Sequence, residues 1–429
     1  ASMAALRNAV IVGGNRVPFG RIGGAYRSAT NLDLLTASID GLAARFGLAG
    51  ERIGEVGAGA VLKHSRDFNL TRESVLSSAL AASTPAYDVQ QACATSLAAA
   101  VQLSNRIRVG QLEAAIAGGV DSASDSPIAV NDRLRKKLLR LNAAKTPLER
   151  VKTLASVRPS DLAPEVPRAA EPRTGLNMGQ HQALTTLQWG ITREAQDELA
   201  AASHHNLAKA WADGFFDDLV TPYLGQSIDQ SLRADTSVEK LATLRPVFGD
   251  GTDATMTAGN STPLSDGAAV VLLADEAWAR QRNLPALARI VDAETAAVDY
   301  LLGNEGLLMA PAHATARLLA RNELALQDFD LYEIHEAFAS TVLCTLAAWE
   351  SDDYCRDTLG LDGALGSIDR AKLNVTGSSL AAGHPFAATG ARILATLAKL
   401  LAQRGRGSRG LISVCAAGGQ GVVAIVEAV

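Results

Sequence analysis

The sequence predicts an α/β protein made of two similar halves with a segment inserted between them. Short β-branched runs alternate with alanine-rich helical stretches, a pattern typical of α/β architecture. A strand-like run, a reactive residue and a long alanine-rich helix follow one another twice, around Cys93 and around His384. A second pair of segments, AAIAGGVDSAS and GLISVCAAGGQG, joins a buried strand to glycine-rich backbone. Two such halves would bring their reactive groups to a common crevice.

The individual elements follow from these runs. We predict strands at 9–12, 56–61, 114–117, 268–273, 286–291, 331–334, 373–375, 411–415 and 422–426. We predict the main helices at 32–45, 96–109, 313–321, 338–349 and 388–402.

The middle of the chain breaks this alternation. Between about residues 122 and 258 the sequence is charged and punctuated by prolines, and only 193–213 is strongly helical. We therefore expect three parts: a first half formed by 1–121 and 259–285, an inserted loop domain at 122–258 that covers the site, and a second half at 286–429.

Composition excludes several classes of protein. The chain is 48% hydrophobic and 20% charged, with a net charge of −5, so we predict no nucleic-acid partner. Four cysteines without paired spacing indicate free thiols in a reducing compartment, and we predict a cytoplasmic location. The sequence has no CxxC pair, no HExxH motif and no apolar run of about 18 residues, so neither a metal site nor a membrane-spanning helix is expected.

Cys93 is the strongest candidate for a catalytic group. It lies between a strand-like run and the start of a helix, where free backbone N–H groups and the helix dipole favour a thiolate. A single cysteine among alanines is more often a small buried hydrophobe. Three further reactive residues, His335, His384 and Cys415, also lie at junctions between strands, loops and helices, which favours catalysis. For His335, a structural ion pair with Glu336 is the alternative.

Six motifs in the right order resemble those of the thiolase family along nearly the whole chain. They are RVPFGRIGG, AGGVDSASDSP, NMG, TAGNSTPLSDGAA, GHPFAATGAR and CAAGGQG. The variant HEAFAS and the long basic insertion are most similar to the 3-ketoacyl-CoA thiolases of the trifunctional-enzyme β-subunit branch, because biosynthetic thiolases carry Asn in place of His335. The resemblance implies a thiolase-like fold, in which two pseudo-repeated mixed-sheet halves form an α-β-α-β-α layered arrangement.

The resemblance also implies a reaction. An acyl-CoA:acetyl-CoA C-acyltransferase cleaves 3-ketoacyl-CoA with free coenzyme A (CoA), or runs the reverse Claisen condensation. Cys93 would attack the keto carbon and carry the acyl group, and Cys415 would act as acid and base. His384 would hold the thiolate and donate to the thioester oxygen, with His335 completing that oxyanion hole. The backbone N–H groups of Cys93 and of Ala417 or Gly418 would form the second hole.

Ligands and partners are expected on the same basis. CoA is a co-substrate and no cofactor or metal is bound permanently. Motif position places Met178, Phe248, Thr262 and Phe338 at the substrate and CoA site, although ordinary turn or core roles would explain them equally well. We expect a homodimer or homotetramer, with a hydratase/dehydrogenase subunit or a membrane surface as a further partner.

Segment 132–152 is the candidate for that further contact. It carries eight Lys or Arg residues against two acids, with Leu134, Leu138 and Leu141 on one helical stripe. A solvated amphipathic helix explains this pattern, and so does a surface that docks a phosphate-bearing ligand, an anionic membrane or a partner subunit.

Two other functions remain open at this point. A ketoacyl-synthase-like condensing enzyme shares the architecture but uses one cysteine and two histidines, so Cys415 argues against it. A non-catalytic CoA-binding subunit of a β-oxidation complex would not need the set of Cys93, His384 and Cys415. Ser96 and the segment 307–311 depart from the usual family residues, which affects helix packing and substrate size more than the type of reaction.

Overall fold

The computed structural model describes residues 5–302 and 304–429. Its strands are β1 (Ala9–Arg16), β2 (Gly20–Arg21), β3 (Glu55–Ala58), β4 (Ala86–Asp88), β5 (Ala114–Ser122), β6 (Ala129–Val130), β7 (Pro164–Glu165), β8 (Pro246–Phe248), β9 (Met256–Thr257), β10 (Ser265–Asp275), β11 (Ala288–Ala297), β12 (Leu331–Ile334), β13 (Arg409–Ala416) and β14 (Gln420–Ala428). Its helices are α1 (Asn31–Phe46), α2 (Leu70–Ser77), α3 (Thr95–Arg108), α4 (Asp132–Ala143), α5 (Pro147–Ala155), α6 (Met178–Gln188), α7 (Arg193–Ala212), α8 (Val238–Leu241), α9 (Glu276–Gln281), α10 (Ala310–Asn322), α11 (Ala339–Glu350), α12 (Asp352–Asp357), α13 (Ser379–Ala382) and α14 (Thr389–Arg404).

The main sheet consists of two mixed halves. The first has the order β4-β3-β5-β10-β1 and the second β11-β14-β13-β12, and they are joined through one residue pair, Ile11 with Ala288. In each half a parallel pair, β3 with β5 or β12 with β13, is followed by two antiparallel neighbours. This equivalence confirms the predicted pseudo-repeat.

Helices cover and separate the two halves. Helices α1 and α2 pack on the outer face of the first half, and α10 and α11 on the outer face of the second. Between the halves, α3 and α14 contact each other and strands of both halves, and their side chains fill the central apolar core. The structure therefore has the predicted α-β-α-β-α layers, with the helices that follow Cys93 and His384 in the middle layer.

One predicted strand is wrong and shows where the repeat is imperfect. Segment 373–375 would be the counterpart of β4, yet only Leu373 makes a bridge, to Tyr332 of β12. The next residue, Asn374, adopts a left-handed conformation with φ 47°, which ends extended pairing. Its side-chain amide then bonds to the backbone N–H and C=O of Ile334 at 3.0 and 2.9 Å. An asparagine side chain thus replaces the missing strand.

The inserted segment leaves the first half after β5, and the chain returns to that half through β10, which pairs with β1 and β5. The domain boundaries given above remain a prediction. Segment 132–152, for which an amphipathic helix is one of the two interpretations, forms two helices, α4 and α5. Thr146 caps α5 in a capping box and Pro147 occupies its first turn, so the helix restarts there. Within the described residues, no helix is long and apolar enough to cross a membrane.

Candidate active site

Cys93 lies in a tight turn just before α3. Its predecessor Ala92 has φ 48°, in the left-handed region that residues with a Cβ seldom adopt. Thr95 supports this turn, because its hydroxyl donates to the C=O of Ala92 at 2.7 Å and accepts from the N–H of Gln91 at 2.9 Å. No side chain caps α3, and the N–H groups of Ala94 and Thr95 donate within the turn, to the C=O groups of Gln91 and Ala92.

His384 reaches Cys93 from the other half of the molecule. Its Nε2 lies 3.2 Å from the Cys93 Sγ, and its Nδ1 lies 2.5 Å from the Oγ1 of Thr389. The turn depends on Gly383, whose φ of 99° suits glycine. Ser265 of β10 fixes the same turn by accepting the His384 N–H at 3.0 Å.

The charge state of this pair differs from the thiolate expected from the sequence. Burial raises the pKa of the Cys93 thiol, and the nearby Cys415 and Asp121 add to this effect, while the N–H groups of Ala417 and Cys93 oppose it. Burial and Arg392 lower the pKa of His384 to about 3. The resting pair is therefore a neutral thiol beside a neutral imidazole, because desolvation outweighs the helix start.

His335 packs against His384, with ring centroids 4.2 Å apart and the ring planes tilted by 48°. It follows β12, and its N–H donates to the C=O of Ser413 at 2.9 Å. This bond continues the parallel pairing of β12 with β13 and fixes the backbone position from which the His335 side chain extends. The predicted alternative, an ion pair with Glu336, is wrong, since the Glu336 carboxylate accepts from Ser203, Asn374 and the N–H of Leu380.

The two central helices bring these groups together. Gly390 of α14 lies so close to α3 that a Cβ there would be 2.5 Å from the backbone nitrogen of Leu97. Ser96 of α3 accepts the N–H of Ala391 at 2.7 Å. The serine that departs from the usual family residue is therefore a direct link between the helix behind Cys93 and the helix behind His384.

Cys415 ends β13 beside the same crevice. It belongs to a small apolar cluster with Leu308 and Phe338, against which Met178 and Phe248 pack. Burial raises the pKa of its thiol to about 12. The predicted residue Thr262 lies next to this cluster, because its backbone N–H and its hydroxyl both donate to the C=O of Ala337. The structure thus brings the four predicted substrate residues close to Cys415.

The backbone after Cys415 distinguishes the two N–H groups proposed for the second oxyanion hole. The N–H of Ala417 faces the Cys93 sulfur. The N–H of Gly418 donates instead to the carboxylate of Glu171, at 2.7 Å. Glu171 is buried, and its other oxygen accepts from the hydroxyl of Tyr300 at 3.2 Å. In this arrangement the N–H of Ala417, and not that of Gly418, lies near the Cys93 sulfur.

Sequence reasoning missed two buried carboxylates that hold the site. Glu171 lies in the inserted segment, outside any motif used above. Asp121 follows the glycines of β5 and accepts the N–H groups of Val61, Leu62 and Ala387 at 2.7–3.1 Å, which ties the His384 loop to the first half. An acid in an otherwise apolar, glycine-rich strand is a signal that could have identified Asp121.

The donor atoms of Cys93, His335 and His384 lie within 4.8 Å of one another, a spacing that could also hold a metal ion. One sulfur and two imidazoles are ligands that Zn²⁺ accepts. His384 already contacts the Cys93 sulfur directly, as a general base must. The set therefore fits nucleophilic catalysis without a metal.

A separate cavity of about 320 Å³ opens beside the site, between the inserted segment and the residues just before β10. Arg21 and Arg233 contribute positive charge to its lining, whereas Lys240 is paired with Asp235 of the same lining at 3.3 Å, and Leu380 contributes apolar surface. His204, which also lines it, accepts the N–H of Arg233 through Nδ1 at 3.0 Å. Burial and Arg233 lower the pKa of His204 to about 4, so this ring is neutral.

Comparison with known proteins agrees with this geometry. The sequence model of the thiolase N-terminal domain matches residues 9–277, and that of the thiolase C-terminal domain matches residues 284–428. The chain is 40% identical to a 3-ketoacyl-CoA thiolase of Pectobacterium atrosepticum over 97% of its own length and 95% of that protein. It is 39% identical to a 3-ketoacyl-CoA thiolase of Yersinia enterocolitica, covering 97% and 96% of the two chains.

Solved structures give the same answer. An acetyl-CoA acetyltransferase of Bacillus anthracis superposes with a TM-score of 0.81 at 31% identity, over 99% of this chain and 100% of that one. Human mitochondrial 3-ketoacyl-CoA thiolase superposes with a TM-score of 0.80 at 29% identity and the same coverage. The fold and these relatives define an acyltransferase. The chain belongs to the thiolase family.

Proposed function

We propose that this enzyme cleaves 3-ketoacyl-CoA with free CoA, giving acetyl-CoA and a shortened acyl-CoA, or runs the reverse condensation. The observation that carries this proposal is the approach of the His384 Nε2 to the Cys93 Sγ, with the second thiol of Cys415 across the same crevice. A ketoacyl synthase has no use for the second thiol. A non-catalytic subunit would not need a base in contact with Cys93.

The first half-reaction forms an acyl-enzyme. As the Cys93 sulfur attacks the keto carbon, its proton passes to His384, so charge separates only when substrate is present. The N–H groups of Cys93 and Ala417 stabilise the oxyanion that forms on that carbon. Cleavage of the C2–C3 bond leaves the acyl group on Cys93, and the thiol of Cys415 protonates the departing acetyl-CoA carbanion. His384 and His335 stabilise its thioester oxygen.

The second half-reaction releases the product. Cys415, now a thiolate, takes the proton of an incoming CoA thiol, and the CoA sulfur attacks the thioester at Cys93. Cys415 is suited to alternate between acid and base because its thiol lies in the apolar cluster, away from charged neighbours. The Cys93 thiolate released in this step recovers its proton from His384.

We also propose where CoA binds. Its phosphates are anionic, and the cavity lined by Arg21 and Arg233 offers guanidinium groups that form no ion pair within the described residues. Met178, Phe248, Thr262 and Phe338 would line the path from this cavity to Cys93. Arg233→Ala should raise the KM for CoA with little change in kcat, whereas the same change at the exposed Arg27 should not affect either.

We also propose the compartment and the assembly of the enzyme. All four cysteines are free, as expected in a reducing compartment such as the cytoplasm. A homodimer or homotetramer follows from the family resemblance, and light scattering of the purified chain tests it. A hydratase/dehydrogenase subunit would be a further partner.

Segment 132–152 supports a contact with such a partner or with an anionic membrane. None of the α4 residues is buried, and Leu138, Leu139, Leu148, Val151 and Leu154 are exposed beside the basic side chains. A solvated helix pair would not need so many exposed leucines. Changing Lys136, Arg140 and Arg150 to Glu should abolish binding to anionic vesicles or to the partner while thiolysis is retained. Equal binding by the wild type and the variant would leave only a solvated surface.

The central test is the site of acylation. Incubation with acetoacetyl-CoA should add one acyl group, which peptide mapping should place on Cys93. Cys415→Ala should still be acylated by acetyl-CoA, since simple acyl transfer to Cys93 forms no carbanion, but should lose thiolysis and the exchange of the α-protons of acetyl-CoA. Cys344→Ala is the matched control, because that thiol is buried between α6 and α11 and should not affect either reaction. An acyl group on Cys415, or on no cysteine, would contradict the assignment.

A further inference from the structure

Behind His335 lies a polar chain that the mechanism has not used. The Nδ1 of His335 is 2.8 Å from the Oγ of Ser379, at the start of α13. The same Oγ is 3.0 Å from a guanidinium nitrogen of Arg392, on α14. All three side chains are buried. The positions of the protons along this hydrogen-bonded chain can be deduced, because each side chain has a fixed number of donors.

The arginine determines the direction of the chain. A guanidinium only donates, so the Ser379 oxygen must accept from Arg392. The serine hydroxyl has one proton left, and among the described residues His335 Nδ1 is the only other partner of that oxygen. If this oxygen also accepted from an Nδ1–H, the serine proton would have no acceptor among the described residues in a buried place, which is costly. The hydroxyl therefore donates to Nδ1, which is then the unprotonated ring nitrogen.

The ring itself is neutral. Burial, His384 and Arg392 hold the pKa of His335 well below its usual value. Burial lowers the pKa of Arg392 to about 10, so the guanidinium is still charged at neutral pH. A neutral imidazole with a bare Nδ1 carries its proton on Nε2. The Nε2 atom is buried and has no hydrogen-bond partner among the described residues.

We propose that Arg392 and Ser379 are positioning residues that hold His335 as the Nε2–H tautomer, so that it presents a fixed N–H donor to the substrate thioester oxygen. The inference rests on the proposed function, in which His335 contributes to that oxyanion hole. It adds the reason why a histidine can serve there: without the serine, either ring nitrogen could carry the proton, and a bare Nε2 would repel the oxygen.

Ser378 offers a matched control. Its Oγ accepts from the same Arg392 nitrogen at 3.1 Å, yet it makes no hydrogen bond to His335. Ser379→Ala removes the donor to Nδ1, whereas Ser378→Ala removes only an equivalent bond to the arginine. We expect kcat for acetoacetyl-CoA thiolysis to fall roughly tenfold or more in Ser379→Ala with KM nearly unchanged, since a lost oxyanion donor costs on the order of 100-fold. Ser378→Ala should stay within about threefold of the wild type, and Ser379→Thr, which keeps the hydroxyl, should restore the rate.

The tautomer can be observed directly in the wild-type enzyme. In protein labelled with ¹⁵N-histidine, protonated and bare ring nitrogens resonate far apart, and His335→Asn identifies the signals of His335. We expect a protonated Nε2 and a bare Nδ1. A protonated Nδ1, or equal kcat values for Ser379→Ala and Ser378→Ala, would overturn the inference. Acylation of Cys93 in the same samples keeps the two proposals apart: its absence in the wild type would contradict the proposed function, whereas its presence with the wrong tautomer would contradict only the role of Ser379 and Arg392.

Discussion

The carboxylate of Glu171 should control the rate through the loop that follows Cys415. One oxygen accepts the Gly418 N–H at 2.7 Å and the other accepts from Tyr300, so the inserted segment holds the backbone on which Ala417 presents its N–H to Cys93. Glu171→Ala would remove the buried acceptor that holds the Gly418 N–H in place. Hydrogen bonds to a charged group contribute about 1.5–3 kcal/mol.

That energy sets the expected magnitude. If the whole loss falls on the active conformation of the loop, kcat/KM for thiolysis should fall roughly 10- to 150-fold, since about 1.4 kcal/mol corresponds to a factor of ten. Glu171→Gln keeps one acceptor oxygen and should lose less than about tenfold. Tyr300→Phe removes only the hydrogen bond from the Tyr300 hydroxyl to the other oxygen of the Glu171 carboxylate, so it should have the smallest effect.

The assay is the loss of acetoacetyl-CoA absorbance in the presence of free CoA, with thermal unfolding measured in parallel. Glu165, exposed in β7 of the same segment, is the matched control, and Glu165→Ala should behave as wild type. Wild-type kcat/KM in Glu171→Ala would refute the reasoning. So would a loss that is reproduced by Glu165→Ala, because the effect would then not depend on Gly418.

Three other predictions follow from the site. Burial raises the pKa of Asp121 to about 6. As the pH falls through about 6, the carboxylate takes up a proton and releases backbone N–H groups such as that of Ala387, so kcat should fall. Asp121→Asn should have lower activity, and its pH profile should lack this decrease at low pH. Treatment with EDTA should leave thiolysis unchanged, whereas Zn²⁺ should inhibit by binding the donors of Cys93, His335 and His384, and EDTA should reverse that inhibition. Leu308→Ala should raise kcat/KM for longer 3-ketoacyl-CoAs relative to acetoacetyl-CoA, because Leu308 is buried in the apolar cluster beside Cys415; an unchanged ratio would place the acyl chain elsewhere.

Much of the fold could be predicted because its signals are local. Strands such as β12 and helices such as α3 are buried apolar or alanine-rich runs, and their predicted positions agree with the structure to within one or two residues. Segment 373–375 misled the prediction because its apolar residues fit a strand, while the left-handed Asn374 and its side-chain bonds to Ile334 depend on a neighbour 40 positions away. Segment 132–152 forms two helices and not one for a local reason, the capping box at Thr146.

The candidate site divides in the same way. Cys93, His335, His384 and Cys415 stand out because reactive side chains at junctions of strands and loops are unusual. Glu171, Ser379 and Arg392 do not stand out, since an acid, a serine and an arginine are ordinary residues until the fold shows what they contact. The thiolate expected at Cys93 was wrong for a related reason: the sequence shows the helix start, but not the packing that removes water from the sulfur.

The same packing explains why the site needs both halves of the molecule. Cys93 alone, in its half-buried turn, would be a thiol of high pKa, and His384 alone would be a ring that resists protonation. Because they lie 3.2 Å apart, a proton can pass from the thiol to the imidazole, and the two charges that form stabilise each other. That distance depends on the close crossing of α3 and α14 at Gly390 and on the bond from Ala391 to Ser96. The two halves of the pseudo-repeat are therefore both required: one contributes Cys93 and the other His384, and neither group is reactive without the other.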